Sequence, residues 1–173
     1  MHYTQTISSP LGNILLSADE VGLTGLWFDG GRYYAETLPE EHVERETPIL
    51  MDTKRWLDIY FSGSEPDFTP PLHPAGSPFR QAVWQLLLEI PYGQTTTYGE
   101  LAKRLECGRM SAQAVGGAVG HNPISIIVPC HRVVGTNGSL TGYAGGLDRK
   151  IRLLEIEQTD MHGLFRPKKG TAI

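Results

Sequence analysis

Residues 114–135 read AVGGAVGHNPISIIVPCHRVVG, and this stretch decides how the second half of the chain is organised. It opens with the Ala- and Gly-rich pattern of a helix and continues as an apolar run that ends at Pro129 and Cys130. A cysteine among Ile and Val is common in protein cores, but one between a proline and a His-Arg pair asks for a chemical explanation. Because proline fixes the backbone and lacks an N–H, we expect a rigid strand end here.

Cys130 is therefore a candidate nucleophile. A thiol with an ordinary pKa near 8.5 is only about 3% thiolate at pH 7, so it needs help from a neighbouring group. In extended backbone adjacent side chains point to opposite faces, and His131 could then act only through a fold around the site or a bridging water. From these two residues alone, a reactive cysteine and a structural cysteine both stay open.

Two short helices are predicted before the apolar run. Thr97 and Glu100 have the spacing of a capping box, which predicts a helix that starts there and ends near Leu105. Ser111 is expected to cap a second helix over residues 112–121, and the Gly-containing turn between them indicates a helix-turn-helix. The second helix has almost no long side chains to read base edges in the major groove. It either packs tightly on another helix or enters the ~6 Å minor groove without reading sequence.

The region before these helices contains a linker. Residues 62–78 hold five prolines and no clear periodicity, which is typical of an extended connection. Ser77 then predicts an N-cap, with Pro78 at the first helical position. The apolar face predicted for this helix consists of Phe79, Val83, Leu86, Leu87 and Ile90.

The N-terminal part predicts a small antiparallel meander followed by a helix. Turn signals separate three apolar runs, Tyr3–Ser8, Asn13–Ala18 and Leu23–Phe28. Residues 47–63 show helical spacing and are expected to pack on the sheet. The predicted class is α+β, a small N-terminal antiparallel sheet-plus-helix domain and a mostly helical C-terminal domain with the helix-turn-helix. The predicted domains are a supporting domain at 1–75 with its linker at about 62–77, a DNA-binding and acceptor domain at 76–160, and a flexible tail at 161–173.

Composition allows one domain or two small ones with a real core, since 40% of the 173 residues are hydrophobic and 20% are charged. Residues 1–75 carry 4 basic and 12 acidic groups, whereas the remainder carries 11 basic and 7 acidic groups. This asymmetry indicates a nucleic-acid surface on the second half, with ordinary surface variation as the alternative. The sequence contains neither a secretory leader nor an apolar stretch of ~18 residues, so we expect a cytoplasmic protein with reduced thiols and no membrane partner.

The segments AVGGAVGHNPISIIVPCHRVVG, GSLTGYAGG and LLEIE together closely resemble the O6-alkylguanine-DNA alkyltransferases, also called methylated-DNA–protein-cysteine methyltransferases. The similarity runs in register from about Phe79 to Glu157, and a looser match covers residues 8–26. The resemblance implies direct-reversal repair, in which an alkyl group on guanine O6, or on thymine O4, moves irreversibly to Cys130. It also implies one alkyl group per chain, no cofactor, a monomer, and double-stranded DNA containing alkylated guanine as the partner.

The resemblance also assigns roles to individual residues. Cys130 would attack the alkyl carbon, His131 would take the thiol proton through a water, Glu157 would orient His131, and Asn122 would tie the helix-turn-helix to the acceptor segment. The backbone carbonyls of Cys130 and Val133 would read the base edge. The remaining implied base-binding residues are Tyr98, Tyr143 and the amide of Ala144. The implied DNA contacts are Ala112, Gln113, Ala114, Gly116, Gly117, Arg132 and Thr136.

Two features of this sequence depart from the family pattern. Gln113 occupies the position where the family usually has an arginine that fills the gap left by a flipped base, and Gln is shorter and uncharged. Some N-terminal domains of the family bind zinc through Cys and His, but the aligned positions here hold Asp19 and Thr24. We therefore expect no metal, and Cys107 is expected to be a bystander.

Three other functions compete with alkyl transfer. The alkyltransferase-like proteins bind alkylated DNA without reacting, and they commonly carry Trp at the acceptor position, so Cys130 argues against that class. A helix-turn-helix transcription regulator would need base-reading side chains on its second helix. A thiol hydrolase would need an oxyanion hole, for which the sequence offers no independent sign.

Overall fold

A computed structural model describes residues 1–105 and 112–167 of the chain. The chain forms two compact units. The first consists of Met1–Ala75 together with Pro123–Ile127, and the second contains the described residues of Gly76–Asn122 and Val128–Ile173. The five residues before Val128 thus belong to the first unit, although the residues on both sides of them belong to the second.

The first unit contains a four-stranded sheet. Its strands are β1 (His2–Ile7), β2 (Ile14–Ala18), β3 (Leu23–Phe28) and β4 (His42–Glu44), arranged in the order β3-β2-β1-β4. β1, β2 and β3 are antiparallel neighbours, which confirms the predicted meander. β4 pairs with β1 in parallel and makes the sheet mixed. Sequence patterning missed β4 because all three of its residues are exposed and show no alternation.

A single helix, α1 (Pro48–Phe61), packs on this sheet as predicted. The hydroxyl of Thr47 caps it by accepting a hydrogen bond from the Leu50 amide at 3.3 Å. Trp56 and Tyr60 lie on its buried face, with their rings stacked at a centroid distance of 5.3 Å. The helix thus covers one face of the sheet with aromatic and aliphatic side chains.

The second unit is mostly helical. Its elements are α2 (Pro78–Leu87), α3 (Tyr98–Arg104), α4 (Ala112–Gly120), α5 (Leu147–Ile156) and a two-stranded parallel ladder of β5 (Thr96–Thr97) with β6 (Val133–Val134). These elements confirm the α+β class. Among the described residues, no helix combines the length and the apolar character that crossing a membrane requires.

Two of the predicted helix starts of the second unit, at Ser77 and Thr97, are confirmed. The Ser77 hydroxyl accepts from the Arg80 amide at 3.2 Å, and the Thr97 hydroxyl accepts from the Glu100 amide at 3.1 Å. α4 packs on both α2 and α3. The predicted turn between α3 and α4, with Cys107 and the Ser111 cap, lies outside the described residues.

Residues 161–166, expected to belong to a flexible tail, are held in the fold. The amide of Leu140 donates to the carbonyl of Phe165 at 2.8 Å, and the amide of Phe165 donates to the carbonyl of Gly138 at 3.1 Å. Met161 and Leu164 pack against the cluster of Val134, Leu140 and Leu154. These contacts join residues 161–165 to the second unit in this structure, and the flexibility expected for the tail stays a prediction. Residues 168–173 lie outside the described part.

Candidate active site

Cys130 lies at the start of a single turn of 3-10 helix, Cys130–Arg132, rather than at the end of a strand. The predicted strand end was wrong because Pro129 leaves the extended region, with ψ 65°, and turns the chain. The amide of Cys130 donates to the carbonyl of Val128 at 2.8 Å, and only 4% of the residue is exposed. Such a thiol is open to a small reagent or to a group placed directly against it.

Burial raises the pKa of the Cys130 thiol, and two neighbours oppose this effect. The side-chain amide of Asn122 hydrogen-bonds the thiol, and the positive charge of Lys150 lies close enough to favour the thiolate. Asn122 also donates from Nδ2 to the carbonyl of Val128 at 2.8 Å. One buried amide thus contacts both the Cys130 sulfur and the backbone that leads to it, two residues after the end of α4.

Glu157, in the C-cap position of α5, gathers four hydrogen bonds at the core of the second unit. The Nε2 atom of His131 lies 2.6 Å from Oε2 of Glu157, and neither side chain is exposed. Arg132 adds a bidentate pair, from Nε to Oε1 at 2.8 Å and from Nη2 to Oε2 at 3.1 Å. The amide of Gly93 donates to Oε1 at 3.0 Å, and Nη1 of Arg132 donates to the carbonyl of Ile90 at 2.6 Å.

This network sets the charges of its members. Burial alone would raise the pKa of Glu157, but the hydrogen bonds and charges of His131 and Arg132 hold that pKa well below its usual range. Burial lowers the pKa of His131, Glu157 opposes this, and the charges of Arg132 and Lys150 add to the lowering. Because Arg132 already balances the carboxylate, the imidazole is neutral and donates its Nε2–H to Glu157.

The second nitrogen of His131 has no such partner. Nδ1 is buried and makes no hydrogen bond within the part of the chain that the structure describes. In the tautomer fixed by Glu157, Nδ1 carries the lone pair and is the atom that can accept a proton. The ring also meets Tyr143 edge to face at a centroid distance of 6.4 Å. The residue after Cys130 is thus a base held in one orientation.

Tyr98, expected to contact the base, points toward the loop that follows β6. Its hydroxyl donates to the carbonyls of Thr141 at 3.2 Å and Gly142 at 3.3 Å. Burial raises the pKa of Tyr98, so the phenol keeps its proton. The same loop carries Tyr143, which is buried, and Ala144, which is half-buried. The structure therefore brings three of the expected base-binding residues to one loop and the helix beside it.

Lys150 is a residue that the sequence patterns did not single out. Its side chain is fully buried, and Nζ donates to the carbonyls of Val133 at 2.6 Å and Thr141 at 2.7 Å. Burial lowers its pKa to about 8, while Cys130 opposes the shift. The available signal was the spacing of Lys150 with Leu153 and Leu154, which places a lysine on the buried stripe of α5.

α4 carries most of the expected DNA contacts. Gln113, Ala114 and Gly117 are exposed, and Ala112 is the first residue of the helix. A Cβ atom built on Gly117 would meet no described atom within 4 Å. One built on Gly116 would meet only the ring of Tyr98, at an ordinary 3.8 Å. Packing among the described residues therefore does not require either glycine, which weakens the explanation by tight helix packing.

The two remaining expected DNA contacts differ in their exposure. Thr136 is exposed in the turn after β6. Arg132 is only 8% exposed, and its guanidinium is committed to Glu157 and the carbonyl of Ile90. The assignment of Arg132 as a DNA contact is therefore corrected, because a guanidinium held by a buried carboxylate does not offer its charge to a phosphate. Its place in the site is beside Glu157.

Asp19 and Thr24, where the resemblance implied that some family members hold zinc, make hydrogen bonds in this structure. Nδ1 of His73 lies 2.7 Å from Oδ2 of Asp19, whose other oxygen accepts from two amides of its own turn. Thr24 donates from its hydroxyl to Ser17 at 2.9 Å. Within residues 1–105 and 112–167, no group of three or more His, Cys, Asp or Glu side chains could hold a metal ion.

Comparison with protein families gives two consecutive matches that together span most of the chain. Residues 78–159 match the family model described as "6-O-methylguanine DNA methyltransferase, DNA binding domain". Residues 1–74 match the model described as "6-O-methylguanine DNA methyltransferase, ribonuclease-like domain". The matched ranges follow the two compact units except for the segment 123–127.

Individual relatives and solved structures agree with the family models. A methylated-DNA–protein-cysteine methyltransferase of Methanosarcina acetivorans is 48% identical over 155 residues, covering 90% of this chain and 97% of the relative. The protein of that name from Haemophilus influenzae is 42% identical, covering 91% and 87%. The crystal structure of Mycobacterium tuberculosis OGT in complex with DNA has a TM-score of 0.80 at 41% identity, covering 90% and 92%. An O6-methylguanine DNA methyltransferase of Methanococcus jannaschii has a TM-score of 0.64 at 28% identity, covering 98% and 99%.

Proposed function

The chain belongs to the 6-O-methylguanine DNA methyltransferase family, and from this premise we propose that Cys130 is the thiol that takes the alkyl group from DNA. Membership makes the chain a direct-reversal DNA repair protein that transfers methyl groups to a protein cysteine. One observation carries the assignment to Cys130: the next residue, His131, is a buried base fixed by Glu157 at 2.6 Å. The substrates we propose are O6-alkylguanine and O4-alkylthymine.

The chemistry begins with the thiol proton. It passes through a water molecule to Nδ1 of His131, and the imidazolium that forms is stabilised by the Glu157 carboxylate. The thiolate of Cys130 then attacks the alkyl carbon, so that an S–C bond forms while the C–O6 bond breaks. The electron pair of the broken bond stays on the base, and the Tyr98 hydroxyl hydrogen-bonds the guanine ring as it becomes the leaving group. The anionic base takes a proton from water to give guanine, while Nδ1 of His131 returns its proton to water.

The product explains why the protein acts once. The thioether formed at Cys130 is not opened by water or by thiol exchange, so no step regenerates the thiol. The acceptor is a side chain of the chain itself, and the transfer needs no added group. We therefore propose a stoichiometric and irreversible reaction with one alkyl group per chain.

DNA binding is assigned to α4. A helix whose exposed face carries Ala114 and Gly117 is slim enough for the ~6 Å minor groove. The damaged nucleotide would be flipped out at a cost of a few kcal/mol, with Gln113 entering the space that it leaves. Thr136 would contact the backbone near the flipped nucleotide.

The flipped base would lie against the acceptor turn. The carbonyls of Cys130 and Val133 and the amide of Ala144 would read its edge, with Tyr143 beside it. Asn122 would hold the acceptor segment to the end of α4. The protein is proposed to act as a monomer on double-stranded DNA, in the reducing cytoplasm that a thiol acceptor requires.

Transfer of a radioactive methyl group tests the assignment directly. The wild-type protein and two variants, Cys130→Ser and Cys107→Ser, are mixed with a duplex carrying tritiated O6-methylguanine. We expect label on the wild type and on Cys107→Ser, and none on Cys130→Ser. Label on Cys130→Ser, or its loss from Cys107→Ser alone, would contradict the assignment. The alternative of a non-reacting lesion binder is not favoured, because the relatives named above are methyltransferases.

A further inference from the structure

Lys150 is a fully buried lysine that the reaction described above does not use. It lies in the first half of α5, and its Nζ atom donates to the carbonyls of Val133 at 2.6 Å and Thr141 at 2.7 Å. These carbonyls belong to two different segments of the second unit, β6 and the loop that follows it. The ammonium therefore bridges two pieces of backbone.

A buried charge at this place is costly. Removing an ammonium from water carries a penalty of several kcal/mol, and a leucine or methionine could fill a core position on α5 without it. Neighbouring core residues such as Leu153 and Leu154 are of that kind. The lysine is therefore explained by its two hydrogen bonds and not by the volume that it occupies.

Both bridged segments belong to the proposed base pocket. Val133 follows the acceptor turn, and Thr141 lies in the loop that carries Tyr143 and Ala144. The Thr141 carbonyl also accepts from the Tyr98 hydroxyl at 3.2 Å. Lys150 and Tyr98 thus hold one carbonyl of the loop from two elements, α5 and α3.

We propose that Lys150 is a positioning residue of the base pocket: its ammonium ties the loop at Thr141 to the acceptor segment at Val133 and thereby fixes the distance between the bound base and the Cys130 thiol. This inference rests on the proposed function. A carbonyl oxygen has two acceptor sites, so the Val133 carbonyl can accept from Lys150 and from the base edge together.

Positioning by Lys150 has a kinetic consequence. Displacement of reacting groups by about 1 Å can slow a reaction by about 10²-fold. The rate of alkylation by a small reagent that does not bind in the pocket does not depend on the pocket geometry in this way. Loss of the bridge should slow transfer from O6-methylguanine, both in duplex DNA and as the free base, much more than it slows alkylation of Cys130 by iodoacetamide. The positive charge near the thiol also helps iodoacetamide, so a modest loss there is expected.

Two substitutions distinguish the effect of the two Lys150 hydrogen bonds from the effect of its positive charge on the Cys130 thiol. Lys150→Met keeps the length of the side chain and removes charge and donors, and Lys150→Arg keeps the charge but changes the hydrogen-bond geometry. Arg152→Met is the matched control, since Arg152 lies on the exposed face of the same helix. Single-turnover methyl transfer, iodoacetamide alkylation of Cys130 and thermal unfolding are measured for each.

We expect Lys150→Met to lower methyl transfer by about 10²-fold with a loss of iodoacetamide reactivity several times smaller. Lys150→Arg should lower methyl transfer while retaining iodoacetamide reactivity, and it supplies the comparison if the methionine variant does not fold. Arg152→Met should resemble the wild type.

Equal losses in both reactions would make Lys150 an activator of the thiol alone, and unchanged transfer in both Lys150 variants would make it a structural residue. Either result overturns the inference. If the wild type itself fails to methylate Cys130, it is the proposed function that fails.

Discussion

His131 and Glu157 form a buried pair in which Nε2 of the imidazole donates to Oε2 of the carboxylate across 2.6 Å. Arg132 binds the same carboxylate through two of its nitrogens, so the charge of Glu157 is already balanced before His131 is considered. The pair therefore fixes a neutral tautomer whose Nδ1 is the base. It places a proton acceptor, Nδ1 of His131, next in sequence to Cys130.

Loss of the carboxylate should affect folding as well as reactivity. Glu157→Gln leaves the buried guanidinium of Arg132 without its anionic partner, and breaking a buried ion pair in this way costs about 3–5 kcal/mol. Urea denaturation should show this drop in the free energy of unfolding. Glu155→Gln, on the exposed face of the same helix, should show no comparable change. Equal stability of the two variants would mean that the buried pair contributes little.

The neutral state of His131 predicts how stability changes with pH. Its pKa is lowered in the folded protein, whereas the unfolded chain titrates near 6.5. Below that pH only the unfolded state gains the proton, so the free energy of unfolding should fall as the pH is lowered from 7.5 to 5. His131→Gln should flatten this dependence, and His162→Gln, an exposed position, should leave it unchanged. If His131→Gln keeps the full pH dependence of the wild type, His131 is not the group that causes it.

A second dependence on pH appears at more acidic values. The pKa of Glu157 is depressed in the folded protein, so its stabilising effect is complete above the ordinary value of 4.5 and is lost as the pH falls below it. Denaturation at pH 3 and pH 5 should therefore differ less in Glu157→Gln than in the wild type. If stability at pH 3 and pH 5 differs as much in Glu157→Gln as in the wild type, another group causes the acid sensitivity.

Gly117→Ala should separate stability from DNA binding. The added methyl group meets no described atom within 4 Å, and alanine is favoured over glycine in a helix by about 0.5–1 kcal/mol. The variant should therefore unfold at higher urea concentration yet bind duplex DNA more weakly, because its new methyl group would lie between α4 and the groove. Fluorescence anisotropy with a labelled duplex measures the affinity. A more stable variant with unchanged affinity would remove Gly117 from the DNA surface.

Gln113→Arg tests the proposed wedge. An arginine is longer and charged, and it should hold the flipped state of a duplex better than glutamine does. Single-turnover repair of O6-methylguanine in duplex DNA should become faster, while reaction with the free modified base should not change. An equal effect on both substrates would contradict the wedge, because the free base requires no flipping.

The sequence predicted those parts of the fold that depend on local signals. Turn residues separated β1, β2 and β3, and the side chains of Ser77 and Thr97 marked two helix starts that the structure confirms. β4 escaped notice because it is short and exposed throughout, so its pairing with β1 depends on tertiary contacts alone. The turn at Pro129 was mistaken for a strand end for a similar reason, since an apolar run does not reveal its backbone geometry.

The sequence motif could predict which residues belong to the candidate site, but not the environment of each side chain. Motif similarity pointed to Cys130 and His131, but it could not distinguish an arginine on a DNA surface from one buried on a carboxylate. Arg132 is buried because its guanidinium binds the carboxylate of Glu157, which lies 25 residues later in the sequence. Lys150 was missed because charged residues are expected outside, and only the packing of α5 shows its two carbonyl partners.

The most direct measurement is the mass of the protein after reaction with a duplex that contains one O6-methylguanine. Intact mass spectrometry should show a gain of about 14 Da, the mass of one CH2, that saturates at one per chain. Peptide analysis should place that gain on the peptide containing Cys130 and leave the Cys107 peptide unchanged. No gain in mass together with tight, lesion-selective binding would contradict the account and make the chain a lesion-binding protein. A gain located on any residue other than Cys130 would contradict it as well.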